Sequence, residues 1–425
     1  MNFNKKYYFL YLVFLCFPNL SFSFPLKQEN FLVITDIHLS STSKHAMDIN
    51  PNKYKPENDL DLANFKKLLK ILSENVKKRN ISQPKFILCL GDLVGHLRTT
   101  TKAVIQDEVI VFSELKNNFP KTPIFYVFGN NDSLAINYGP FSVNNLPKKD
   151  TSPYEIAQSR ASWKNGFLSN GNICQSDTKE TNFPCLLQIE KKQGYYSAYL
   201  APKLRLITLN SILFSVLRKQ VTAQDASKQL LWLKSQLERA KASQESVLLA
   251  MHIPPGQNVY DNSSFWLPKE EAVFLKMISR YHNRIIGILV AHTHAEELKI
   301  IKDASNKNIA SVYFTAALST AHGNAPSVKT FYFDKNSSEA WQLRNFETFH
   351  FYINNQNQLL FSKLYDYNAY YCNRNPAGRI FQYLNNVTPE KMNTYFSAGN
   401  PNFSGNIKFP DAIVITLQPE KEDFN

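Results

Sequence analysis

Residues 31–38 read FLVITDIH: a run from Phe31 to Thr35 rich in β-branched and aromatic residues, ending on Asp36, Ile37 and His38. Such a run reads as a buried strand, and its last residues offer a carboxylate and an imidazole at alternate positions. The pattern recurs four times. FILCL at 86–90 leads to Gly91, Asp92 and, four residues later, His96. IFYVF at 124–128 leads to Gly129, Asn130, Asn131 and Asp132, SVLLA at 246–250 to Met251 and His252, and IIGILV at 285–290 to Ala291, His292, Thr293 and His294. In open sheets ligands collect beyond the carboxyl ends of the strands. A lone DxH or HxH arises by chance, but five strand ends in order point to a dinuclear metal centre.

The donor set defines the chemistry. Zinc, manganese or iron accepts imidazole nitrogen, carboxylate oxygen and, at need, an amide oxygen. A pair of such ions requires an anionic bridge to offset their repulsion. Asp92 suits that role, because it stands second of the five and follows a glycine that permits a tight turn. Asp36 and His38 can face one ion, while His292 and His294 can reach two. Paired metals polarise phosphoryl oxygens and acidify a shared water, which is machinery for cleaving phosphate esters.

Between these strands the spacing predicts helices over 59–79, 101–118, 224–242 and 270–281, making βαβ units with their flanking strands. Residues 194–200 and 204–210 read as paired strands, and 310–318, 329–334 and 346–353 as further short β segments. The expected architecture is an α/β fold: two β layers in a sandwich, flanked by helices. The catalytic domain is assigned to 24–364 and a small carboxy-terminal cap to 365–425, where the composition turns to Asn, Pro and Tyr.

The 425 residues, 44% hydrophobic and 20% charged, exclude a disordered chain. Residues 1–23 carry Lys5 and Lys6, an apolar stretch from Tyr7 to Phe17, and a small-residue site at Ser21 to Ser23. That order predicts a cleavable signal and an exported, secreted or periplasmic protein. The apolar stretch is short for a membrane span. In an oxidising compartment Cys174 and Cys185 are expected to bridge a polar loop; Cys89 reads as a buried small hydrophobe, and Cys372 has no evident partner. The formal charge of +13 is compatible with anionic substrates, nucleic acid or membrane headgroups, and alone decides nothing. No dense basic block or nucleic-acid motif accompanies it.

The ordered motifs resemble those of the calcineurin-like metallophosphoesterase superfamily: DxH, GDxx, GNH(D/E), H and GHxH. They fall on Asp36 and His38, Gly91 and Asp92, Gly129 and Asn130, His252, and His292 and His294. His96, the His252-Ile253-Pro254-Pro255-Gly256 segment, and Asn324 to Lys329 leading into Phe331 to Asp334 and the Phe346-Glu-Thr-Phe strand look like the acid sphingomyelinase-like phosphodiesterase branch. That resemblance implies one zinc held by Asp36, His38, Asp92 and His294, and a second by Asp92, Asn130, His252 and His292. The family places His after the Asn ligand; this chain has Asn131, a form also familiar from endopolyphosphatase-like relatives. Asn131 can hold a phosphate oxygen but cannot shuttle a proton. His96 becomes the expected general acid. His322 is expected at the substrate rim with Asn130 and Asn131, and Tyr260, Phe265 and Trp266 either stack on substrate or pack.

The expected function is a dimetal phosphoesterase acting on phosphodiester or phosphoanhydride bonds of nucleotide or phosphocholine type. Alternatives are a sphingomyelin phosphodiesterase, an endopolyphosphatase-like hydrolase and a catalytically silent binding protein. A membrane-lipid substrate is less favoured, because only a few residues separate the expected cleavage site from Phe31, leaving no lipid-presenting module ahead of the catalytic domain. The sequence does not fix the oligomeric state.

Overall fold

The structure is a computed structural model that describes residues 28–42, 59–96, 100–144, 151–160, 172–174, 183–190, 192–372, 380–400 and 407–417. The predicted signal at 1–23 lies outside the described residues. Fifteen strands among those described form two sheets. The first has the order β14 (Leu359–Asp366), β13 (Trp341–Ile353), β12 (Ser327–Lys335), β1 (Glu29–Ile34), β2 (Ile87–Cys89) and β3 (Ile124–Tyr126). The second runs β15 (Val414–Thr416), β10 (Leu298–Lys302), β11 (Asn308–Phe314), β9 (Ile285–Val290), β8 (Ser246–Met251), β7 (Leu204–Leu209), β6 (Tyr195–Ala201), β5 (Cys185–Glu190) and β4 (Asn172–Ile173).

The strands that feed the site are joined in parallel. β1, β2 and β3 are parallel neighbours, linked by α1 (Leu62–Lys77) and α2 (Thr101–Asn118). α3 (Pro153–Arg160) follows, and α4 (Ala223–Ala242) and α5 (Pro268–Tyr281) link the parallel β7, β8 and β9. α1 turns one apolar face inward, with Phe65, Leu68, Leu69, Leu72 and Val76 buried. Asp61 caps α1, and Thr222 with Asp225 forms a capping box on α4.

The two sheets meet face to face through aromatic side chains. Tyr313 on β11 meets Phe331 on β12 and Phe346 on β13 edge-on, at 5.7 and 6.1 Å between ring centroids. The expected two-layer sandwich with outer helices is therefore what the chain forms. Cys174 and Cys185 are bridged, while Cys89 and Cys372 are free and buried.

Beyond residue 364 the chain stays woven into this body. β14 runs through the expected domain boundary, pairing Asp366 with Glu347 of β13. The short helices α6 (Tyr367–Tyr371) and α7 (Pro389–Asn393) follow. β15 then adds an edge strand to the second sheet, parallel to β10. No helix among the described residues is long and apolar enough to cross a membrane.

Candidate dimetal site

The five ligand-bearing strand ends are the carboxyl ends of β1, β2, β3, β8 and β9, so both sheets deliver side chains to one rim. The loops there bond to one another before any side chain takes part. Asp36 N–H donates to the Gly91 carbonyl (3.0 Å), His38 N–H to that of Asp92 (3.0 Å) and Ala291 N–H to that of His252 (3.0 Å). Asp36, His38, Asp92, His292 and His294 all adopt positive φ, between 47° and 76°. Such backbone costs roughly 1–3 kcal/mol per residue and persists where surrounding structure enforces it, commonly at functional sites. Two glycines permit the closest approach. A Cβ on Gly91 would sit 2.5 Å from Gly129 N, and one on Gly129 would sit 2.1 Å from Asp92 Oδ1.

The side chains converge in two clusters, Asp36 with His38 and His294, and Asp92 with His252 and His292; within each, the ligand atoms lie within 4.8 Å of one another. Hydrogen bonds fix the imidazole tautomers. His252 Nδ1 faces the Leu90 carbonyl at 2.8 Å, so Nδ1 carries the proton and Nε2 presents a lone pair. That lone pair lies 3.3 Å from Asp92 Oδ2. His294 repeats the arrangement: Nδ1 faces the Ala321 carbonyl at 2.9 Å, and Nε2 lies 3.4 Å from Asp36 Oδ1 and 3.0 Å from His38 Nε2. Lone pairs that face one another in a buried space repel unless a cation or an extra proton lies between them. Asp36 Oδ1, Asn130 Oδ1 and His252 Nε2 are buried without a hydrogen-bond partner. These residues fit a pair of divalent ions.

The protonation equilibria carry the same message. Burial alone would raise Asp36, yet His294, His38 and His252 hold its carboxyl at about 2. Asp92, also opposed by burial, is held well below the usual range, chiefly by His252. His252 in turn is drawn up to about 9 by Asp92 against the effect of burial, whereas burial takes His292 down to about 4 and His294 far below its ordinary value. The clustered carboxylates demand positive charge, and the imidazoles compete for one proton.

Asn131 lies beside this centre, tied to Asp92. Its backbone N–H donates to Asp92 Oδ1 (2.9 Å) and its side-chain amide to Asp92 Oδ2 (2.8 Å). Asn130 lies in the same short turn and donates to Asn137. His96 stacks on His38, with ring centroids 4.3 Å apart, and its Nδ1 pairs with Asp59 Oδ1 at 2.8 Å. His322, itself at positive φ (65°), packs edge-on against His294 at 4.6 Å and lies 5.8 Å from His96.

Above the clusters opens a cavity of about 590 Å³ with Asp92, Asn130, Asn131 and His96 at its floor and Tyr138, Tyr260 and Phe265 in its walls. Trp266 is fully buried and donates its indole N–H to the Ile253 carbonyl, so this member of the aromatic set packs. Sequence reasoning missed four contributors. Asp59, a buried carboxylate, raises His96 above its ordinary value against the desolvation that burial imposes. Asp132 accepts from Leu93 N (2.8 Å) and Gly129 N (2.7 Å), tying two ligand loops together. Tyr138 places its hydroxyl 3.4 Å from His292 Nε2, and Asn258 joins the cavity lining. Asp132 closes the third strand-end motif, where nothing in its position marks this role; the others have no sequence signal.

Residues 29–296 match the family described as Calcineurin-like phosphoesterase. Among known proteins the chain is similar to "Sphingomyelinase phosphodiesterase C" of Dictyostelium discoideum, 26% identical over 321 residues, covering 71% of this chain and 66% of that one. "Sphingomyelinase phosphodiesterase D" of the same organism is 23% identical, covering 72% and 65%. "Cyclic GMP-AMP phosphodiesterase SMPDL3A" of Bos taurus is 23% identical, covering 60% and 55%. The matched part thus spans less than two thirds of each relative.

Proposed function

Because the chain belongs to the calcineurin-like phosphoesterase family, we propose that it is a metal-dependent phosphoric ester hydrolase with two divalent ions. The observation that carries this reading is the pair of Asp/His clusters that meet at Asp92 with their lone pairs facing. Asp36, His38, Asp92 and His294 would hold one ion; Asp92, Asn130, His252 and His292 would hold the other. The donor set fits zinc first and manganese or iron next. When bound, such a pair supplies Lewis acidity to a phosphoryl oxygen and lowers the pKa of water.

The remaining work belongs to the protein's own groups. His96, its Nδ1–H held by Asp59, keeps Nε2 to protonate the departing oxygen. Asn131 braces Asp92 through its backbone N–H and one hydrogen of its side-chain amide, whose second hydrogen can serve a phosphoryl oxygen. Asn130 and His322 lie beside the phosphoryl site. Tyr138, Tyr260 and Phe265 provide aromatic faces for a base or a quaternary ammonium group. The substrate class is a phosphodiester or phosphoanhydride of nucleotide or phosphocholine type. Sphingomyelin is the second reading, favoured by the names of the two Dictyostelium relatives. Export through residues 1–23 completes the proposal.

The test is a panel of bis-p-nitrophenyl phosphate, ATP, CDP-choline and sphingomyelin, assayed on protein whose metal content is measured. Turnover of a diester or anhydride with two ions bound is expected. Two bound ions with no turnover of any member would replace the hydrolase by a binding protein.

A further inference from the structure

Lys299 on β10 is completely buried, yet its ammonium group has two backbone acceptors and an ion-pair partner. Nζ donates to the Gln257 carbonyl, donates to the Ala412 carbonyl (2.9 Å) and lies 3.0 Å from Glu297 Oε1. It also lies 5.8 Å from the centre of the Phe265 ring. Gln257 belongs to the loop after β8; Ala412 belongs to the segment that ends in β15. A buried ammonium is costly to desolvate, and exchanging a buried ion pair for apolar residues is often neutral or stabilising. Stability therefore does not account for Lys299, and its partners suggest placement instead.

Other contacts join the same two segments. Lys408 N–H and Phe409 N–H both donate to the Val259 carbonyl, at 2.9 and 3.0 Å. Gly256 has φ +89°, and a Cβ there would come within 2.9 Å of Ile415. On its far side the clamped loop carries Asn258, Tyr260 and Phe265 into the cavity, and Phe265 packs edge-on against His292 at 5.9 Å.

Resting on the reading of that cavity as the phosphoester site, we propose that Lys299 is a positioning residue. It fixes the 256–265 loop against residues 407–417 and so sets which organic group the aromatic wall accepts. The carboxy-terminal segment thereby takes part in specificity.

The test compares wild type with E297Q/K299M, which removes both charges and leaves neither buried alone. Steady-state kinetics are run on methyl p-nitrophenyl phosphate, whose methyl side is small, and on CDP-choline. Hydrogen exchange follows residues 256–265. The variant is expected to hold two metal ions and keep kcat on both substrates within about twofold. Its KM for CDP-choline should rise about tenfold, a loss of binding equal in the ground and transition states, while KM for the small diester holds. Amides of the loop should exchange faster. An unchanged KM for CDP-choline overturns the proposal, as does an equal loss on both substrates accompanied by loss of metal. If the wild type holds two ions but turns over nothing, the functional reading fails separately, and hydrogen exchange alone then decides whether Lys299 holds the loop.

Discussion

Asn131 grips both oxygens of Asp92, its backbone N–H on Oδ1 and its side-chain amide on Oδ2. Oδ2 also lies 3.6 Å from His38 Nε2 and 3.3 Å from His252 Nε2, between the two clusters. The amide therefore orients the carboxylate that two ions would share. Removing a group that orients a metal ligand typically costs about 10–100-fold in metal affinity. Asn131→Ala is expected to weaken binding of one ion within that range while the fold is kept. Competition titration with a chromophoric chelator measures it; unaltered affinity for both ions would show that Asn131 does not brace the bridge.

His96 and Asp59 form a donor pair whose value depends on the leaving group. A positioned general acid contributes about 10²–10⁴-fold when the departing oxygen is a poor leaving group, and little when it departs unaided. His96→Gln should lose activity within that range on an alkyl phosphodiester and less than about tenfold on a p-nitrophenyl ester. Asp59→Asn should follow the same pattern more weakly, because the ring keeps its place by stacking on His38. Parallel losses on both substrates in either variant would remove His96 from the acid role.

These two cases separate what the sequence reveals from what it hides. The strand ends, the helices and the Asp/His set are local patterns, written in runs of a few residues whose period is set by backbone geometry. The helix read at 101–118 is α2 itself. Asp59 and Lys299 act through contacts 37 to 113 residues away, and no period or motif marks such a partner. The direction of the Asn131 amide depends equally on Gly129 letting Asp92 approach. The carboxy-terminal boundary rests on composition, which does not register that β14 runs across residue 364 or that β15 pairs with β10, far earlier in the chain.

Metal removal should cost stability as well as activity. The buried acceptors Asp36 Oδ1, Asn130 Oδ1 and His252 Nε2 find no hydrogen-bond partner within the protein. An ion bound at about 100 times its Kd stabilises the folded state by about 2.7 kcal/mol. Exhaustive chelation is expected to lower the Tm by several degrees, with recovery on adding zinc or manganese. The Asp92→Asn variant should show a much smaller response to either treatment. A wild-type Tm indifferent to chelator and to added metal would argue against a resident dimetal centre.

Alkaline pH should unfold the protein through phenols remote from the site. Tyr126, Tyr154 and Tyr196 are fully buried, and burial pushes each hydroxyl well above its ordinary value of 10.0. Tyr154 donates to the Gly194 carbonyl (2.7 Å) and Tyr196 to that of Tyr126 (2.9 Å), contacts an ionised phenolate would reverse into repulsion. Because the folded values are raised, this stability is fully present below about pH 10, where the unfolded phenols titrate, and is lost as pH climbs toward the folded values. Each such phenol adds a fall that approaches about 1.4 kcal/mol per pH unit well above pH 10, and Tyr313, Tyr365, Tyr367 and Tyr371, also raised by burial, add theirs. Urea unfolding at pH 9, 10 and 11 measures the slope, and Tyr196→Phe should flatten it by one phenol's share, up to about 1.4 kcal/mol per pH unit. A stability that holds level from pH 9 to 11 would mean that these phenols ionise within the folded core.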